Sequence, residues 1–453
     1  MKEIRYLSVC GMLGYGYPLE SLRDGIDSDT AFLGVDGGSS DPGPYYLGTG
    51  SGFVKPLQTK RDLEPVLVAA RRHDIPFIIG SAGGAGARPH VDDFLSVLLA
   101  IAERHDLHFR LAVIPADIDK RVVLKACREG RIAPCGWAPG LTEERIRKSD
   151  HIVGQMGMAP IIRALRGGAD VVVAGRCCDT AIFASLPVMR GFDPALALHC
   201  AKIAECGTLC AEPGAANDSL KAVVRRDHFI VEPANPARRC TPDSVAMHSL
   251  YEQPDPGSFV EPEGRIDMSA SRFEPCGRRG VRVSGTRFVP ADHPTVKLEG
   301  VELKGYRAVT IAGIRDPAAI GCLDEIEMRV RDAVGGNLRG TLDRDDYTIR
   351  FLRYGMDAVT GPDAATPGPL PREMGLVIEA IAPSQELADT VLSSARSTAL
   401  HQSFAGRKTT AGNLAFPFSP SDFRGGPVYE FSIYHLMRIE SDATLFPVSF
   451  TEI

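Results

Sequence analysis

Four short segments hold most of the residues able to do chemistry. Asp36, Ser39, Ser40 and Asp41 set two acids and two hydroxyls in a glycine-rich stretch, DGGSSD. GSAGGAGARPH places Gly83, Gly84 and Gly86 ahead of Arg88 and His90. GRCCDTA sets Arg176 three residues before Asp179, and Lys297 stands in TVKLEG. A carboxylate or an imidazole can move a proton. Glycine-turn amides at a helix start can hold an anion, and arginine grips a carboxylate or phosphate with paired donors. The combination describes proton transfer beside a bound carboxylate or enolate. Asp36 or His90 would move the proton, while the Gly83–Gly86 amides, Arg88 and Arg176 would hold the charge.

Each residue also has a plain structural reading. Ser39, Ser40 and Asp41 are ordinary turn formers, Asp36 fits a turn as well as it fits a general base, Gly83, Gly84 and Gly86 fit a tight turn that needs glycine, and a lone histidine such as His90 is commonly structural. Asp179 is placed to cap the helix TAIFASLPVM. Lys297 alternates with Val296 and Leu298 on a strand, where a lysine is commonly solvated. In GRKTTAGN, Lys408 and Asn413 belong either to a solvated loop or to the rim of a site for an acidic substrate.

The glycine spacing matches neither the dinucleotide fingerprint nor a phosphate-binding P-loop, so NAD and ATP are not indicated. Eleven cysteines without a Cys-x-x-Cys pair give no zinc or redox signature, and no metal or cofactor is expected. Cys206 and Cys210, four apart on an expected helix, lack a His or acid partner at ligand spacing. Cys177 and Ser40 are the candidate nucleophiles of a hydrolase, without a base nearby in sequence.

The elements that must position these groups follow from periodicity. Apolar runs at 4–9, 30–35, 75–79, 109–114 and 170–174 alternate with amphipathic helices, the pattern of βαβ units. One such helix opens at Thr59 with Asp62 in its first turn; another runs from Asp193 to Gly207. The fold class is therefore α/β: residues 1–215 form a doubly wound, mostly parallel sheet with glycine-rich strand-end loops. Ligands bind beyond the carboxyl ends of such strands, where four of the five loops carry glycine, acid, Arg or His. Residues 216–453 turn to strand-like runs, a C-terminal α+β domain with a largely antiparallel sheet. There Ser384 opens a helix, and 361–373 is the most linker-like stretch.

At 453 residues, 44% hydrophobic and 24% charged, the chain is neither fibrous nor disordered. A net charge of -6 without a basic face excludes a nucleic-acid footprint. No apolar run approaches a membrane span, and the expected location is cytoplasmic, with a symmetric homo-oligomer as the default assembly.

DGGSSDPGPYYLGTGSG, GSAGGAGARPH, GADVVVAGRCCDTAIF, RVSGTRFVPADHPTVKLEG and GNLAFPFSPSDFRGGPVYEFSIYH, in this order, resemble the acyclic terpene utilisation AtuA-like family over nearly the whole chain. The resemblance implies catabolism of terpenes and other branched or hydroxylated carboxylic acids, often as CoA thioesters. It carries over Asp36, Ser39, Asp41, Gly83, Gly84, Arg176, Asp179, Lys297 and residues 419–422 as motif positions without catalytic roles, and this motif context makes Lys297 a candidate oxyanion partner. Longer members resemble this chain followed by a small ferredoxin-like domain, which implies a small ferredoxin-like partner subunit here. The expected activity is that of a lyase or hydratase on a branched or hydroxylated carboxylic acid or its CoA thioester. The alternatives are a non-catalytic acyl-binding subunit of a larger complex, or a hydrolase.

Overall fold

The five apolar runs become five parallel strands in the computed structural model, which describes residues 2–136, 138–361, 368–408 and 411–453. They lie side by side in the order Glu3–Ser8, Thr30–Asp36, Phe77–Gly80, Val171–Ala174, Arg110–Ile114. Phe77–Gly80 and Val171–Ala174 are buried at every position, as parallel strands covered on both faces must be.

Antiparallel strands extend this core to ten. Leu220–Arg225 pairs with Glu3–Ser8, followed outward by His228–Pro233, Gly280–Ser284 and Arg272–Cys276. Ser449–Glu452 closes the other edge against Arg110–Ile114. Leu220, Ala222 and Val224 are buried while their neighbours are half-exposed, the alternation of a strand with one covered face. The protein is thus mixed α/β, with parallel and antiparallel strands in one large sheet.

Two compact units divide the chain: Met1–Glu302 with Phe431–Ile453, and Leu303–Glu430. The boundary expected after residue 215 is therefore corrected. Residues from 216 onward first continue the N-terminal sheet, because Leu220–Arg225 finds its hydrogen bonds on Glu3–Ser8. The second unit, taken alone, is α+β. Thr348–Tyr354 and the later half of Thr295–Ile314 flank Met374–Ala382, all antiparallel. Helices Leu323–Asn337 and Gln385–His401 bury their apolar stripes in its core. Ser384 caps the latter by accepting from the Leu387 amide, as expected. Of the linker-like stretch 361–373, residues 362–367 lie outside the described residues.

Two helix expectations change in detail. The helix expected to open at Thr59 runs Pro56–Arg72, since Pro56 presets the backbone of its first turn. Asp62 is buried there and accepts from the Gly14 and Gly16 amides at 2.7 and 2.8 Å, so it fastens the loop after the first strand. Helix Pro194–Ala204 is capped by Asp193 but stops before Cys206 and Cys210. Cys210 instead lies 3.9 Å from Cys240, both free thiols. Among the described residues no helix is long and apolar enough to cross a membrane.

Candidate functional site

Backbone hydrogen bonds knit the strand-end loops of the first unit together. Leu13 donates to the Asp36 carbonyl, Gly37 to Gly80, and Ser81 to Gly175. Gly38 sits so close to Gly84 that a Cβ on it would come within 2.7 Å of the Gly84 Cα. Gly86 packs on Arg176, whose amide nitrogen would lie 2.1 Å from an added Cβ. The loops carrying Asp36, Gly84 and Arg176 thus meet in one region.

That contact also bears on the glycines, where it favours the tight turn over the anion site. Gly83, Gly84 and Gly86 all have positive φ, which glycine adopts without steric cost. Gly83 and Gly86 let backbone approach backbone, at His90 and Arg176, and the Gly84 amide is already committed to the Ser81 carbonyl. They therefore build a packed turn rather than an open anion cradle. Arg88 is exposed and pairs with Asp92 at 3.0 Å, one helical turn on. His90 is fully buried with Nε2 3.0 Å from the Tyr46 carbonyl, and burial pushes its imidazole towards the neutral form. Neither lines the cavities described below.

Arg176, expected as a substrate clamp, is occupied. Its Nε donates to Glu299 Oε2 at 3.0 Å, and Nη2 reaches Oε1 at 3.3 Å and Ser40 Oγ at 3.4 Å. Lys297 Nζ closes on the same carboxylate at 2.9 Å and lies 4.5 Å from the Tyr434 ring centre. Burial works to raise Glu299, yet the Arg176 and Lys297 charges and hydrogen bonds hold its carboxyl at about 2. Lys297 is therefore not a solvated surface lysine.

Beside this cluster a cavity of about 250 Å³ gathers Asp179, Glu205, Glu261, Lys202 and Lys297. The side chains come from a helix start, a helix end, a hairpin and the strand Thr295–Ile314. Asp179 is the first residue of helix Asp179–Met189 and makes no cap, so the capping alternative fails. One of its carboxylate oxygens is buried without a hydrogen-bond partner, as is one of Asp36. Burial pushes Asp179 up against the opposing pull of Arg176 and Lys202. Asp36 is pushed far above the carboxylate range by burial and by the Asp179 charge, and it lines neither cavity.

Glu205 pairs with Lys202 at 2.6 Å. Burial nevertheless pushes its carboxyl up to about 8, and the Asp179 and Glu261 charges add to the rise. Glu261 is pushed up to about 7 by burial and by the neighbouring Glu263 charge. Desolvation disfavours a charged carboxylate, and like charges add to the penalty. The cavity thus holds acids able to give or take a proton near neutrality, alongside ammonium groups able to meet an oxyanion. Among the described residues no group of three His, Cys, Asp or Glu side chains is arranged to hold a metal ion.

Ser39 Oγ accepts from the Asp41 amide in a local turn. Ser40 and Asp41 line a second cavity, of about 370 Å³. Lys408 and Asn413 belong to the second unit. Lys408 is exposed, and the Asn413 amide group donates to the Ala399 and Gln402 carbonyls, which makes it a loop fastener. Cys177 is fully buried beside Ser81, and burial pushes its thiol far above the ordinary range, which disfavours it as a nucleophile.

Lys202, Glu205, Glu261 and Glu299 escaped the sequence reading. For Lys202 a signal exists: every residue of helix Pro194–Ala204 but the first is buried, so a charge on it requires a partner. Glu299 follows Lys297 by two positions on one strand, which puts both on one face. Glu261, ending strand Ser258–Glu261, has no local mark.

No curated protein and no solved structure matches the chain. A family model, acyclic terpene utilisation family protein AtuA, matches residues 49–418. That span is the bulk of the chain and contains Asp179, Lys202, Glu205, Glu261, Lys297 and Glu299, so the protein belongs to the acyclic terpene utilisation family AtuA.

Proposed function

We propose that this protein is a lyase or hydratase that moves a proton on a branched or hydroxylated carboxylic acid, free or as its CoA thioester. One observation carries the reading: Asp179, Glu205 and Glu261, all raised by burial, share a cavity with Lys202 and Lys297. In dehydration, the Asp179 carboxylate takes the proton alpha to the carbonyl. Lys297 pairs the developing enolate oxygen, and a protonated Glu205 or Glu261 delivers its proton to the departing beta-hydroxyl, which leaves as water. Hydration runs the same steps backwards. A site that uses both an acid and a base near neutral pH needs carboxyls whose environments hold them at different protonation. A small ferredoxin-like subunit and a homo-oligomeric assembly remain part of this proposal, as does a cytoplasmic location.

The test is exchange of the alpha proton with deuterated water, followed by mass spectrometry across a panel of branched hydroxy acids and acyl-CoA thioesters. Exchange that Asp179→Asn abolishes supports the reading. Binding of a panel member without any exchange would make the chain an acyl-binding subunit instead.

A further inference from the structure

We infer that the second cavity of the first unit binds a monocarboxylate carrying an apolar chain, with Arg145 as its anchor. The cavity measures about 370 Å³, and its walls include Cys135, Ala138, Pro139, Phe431 and Tyr434, mostly apolar surface. Small-molecule sites combine such walls with a few polar groups that fix orientation.

Most of the polar groups here are already committed. His435 Nε2 is 3.0 Å from the Pro139 carbonyl and so donates to it, while Nδ1 accepts from the Tyr434 amide at 2.9 Å. The ring is therefore neutral and has no free nitrogen. Ser432 Oγ bonds Ser149 Oγ at 2.7 Å, and Ser40 Oγ accepts from Arg176. Arg145 differs from them. On its own helix, Glu143–Lys148, the neighbouring cations are paired, Arg147 with Glu143 and Lys148 with Glu144. Half-buried in the cavity wall, Arg145 has no carboxylate within ion-pair distance among the described residues.

A guanidinium beside apolar walls is matched by a carboxylate, which it can hold through two hydrogen bonds. Asp41 also lines the cavity, but its charge acts on the neighbouring Arg176 guanidinium, which leaves Arg145 as one cation for a ligand. That single cation favours a monoanion over a phosphate dianion. Arg176, the cation expected for this task, lines neither cavity, its guanidinium being hydrogen-bonded to Glu299, Ser40 and Ser81. Tyr434 links the two cavities, since its ring covers Lys297. The inference does not depend on the proton-transfer reading, because it concerns binding alone.

Isothermal titration calorimetry of the full chain with octanoate, octan-1-ol and octyl phosphate tests it. Octanoate is expected to bind one to one and more tightly than either analogue. Arg145→Gln should weaken octanoate by about tenfold or more, the scale of a hydrogen bond to a charged group. Ala138→Phe, which fills the cavity and leaves Arg145 in place, should weaken octanoate and octanol alike. Octanoate binding that survives either substitution within about twofold would overturn the proposal, as would tighter binding of octyl phosphate.

Discussion

Two neighbouring charged groups in the first unit solve the same problem in opposite ways. At Glu299, two cations close on one carboxylate, and the acid stays ionised although no part of it reaches solvent. In the adjoining cavity the acids outnumber the cations, and burial leaves Glu205 and Glu261 titrating at about 8 and about 7. Burial penalises charge in both places; what differs is whether enough opposite charge lies within reach. The Glu299 cluster, with its carboxylate fully countered, acts as a lock between loop and strand. The adjoining cavity leaves acids with protons to exchange.

The sharpest way to break this comparison is Glu299→Gln. It leaves the buried Arg176 and the half-buried Lys297 without their counter-charge, and removing one partner of a buried pair costs about 3–5 kcal/mol. Denaturant unfolding should show that loss; a change below about 1 kcal/mol would mean the cluster is no lock. Next in size, Asp179→Asn should lower alpha-proton exchange by about 100-fold or more while leaving stability unchanged or raised, since the desolvation cost of a carboxylate with an unpartnered buried oxygen is removed. Kinetics and unfolding on the same preparation separate the two effects.

A smaller effect concerns pH. The folded state holds the Glu205 proton up to about 8, whereas an ordinary glutamate releases it near 4.5. Between those values the folded chain binds more protons than the unfolded one, so this group's contribution to stability falls as pH rises. Glu205→Gln should flatten that part of the stability profile, measured as thermal midpoint against pH. Smallest of all, Arg88→Ala should change stability by no more than about 0.5 kcal/mol and leave exchange intact, because its pair with Asp92 is solvent-exposed.

Much of the N-terminal sheet was legible in advance because its strands are continuous aliphatic runs; of the acids and cations singled out at strand ends, Asp179 lines the first cavity, whereas Asp36 and Arg176 line neither. The sheet order was not legible. Val171–Ala174 inserts between Phe77–Gly80 and Arg110–Ile114, a choice made by pairing across the sheet rather than by local pattern. The same applies to Leu220–Arg225, a recognisable strand whose partner lies more than two hundred residues away. The glycines at 83–86 fit either an anion site or a tight turn, and the close approach of Gly86 to Arg176 gives a structural reason for one of them. Glu205 and Glu261 were missed because their chemistry comes from shared burial, which no short motif records.

The most direct test of the central claim needs no substrate. A pH titration of side-chain carboxyl carbons by 13C NMR, with Glu205→Gln and Glu261→Gln used for assignment, reads each acid separately. The account predicts resonances that titrate between about pH 6 and 9 and disappear in the matching variant, with Glu299 ionised throughout. If every carboxyl of the cavity titrates below about pH 5, its acids are ordinary carboxylates and the contrast with Glu299 is lost.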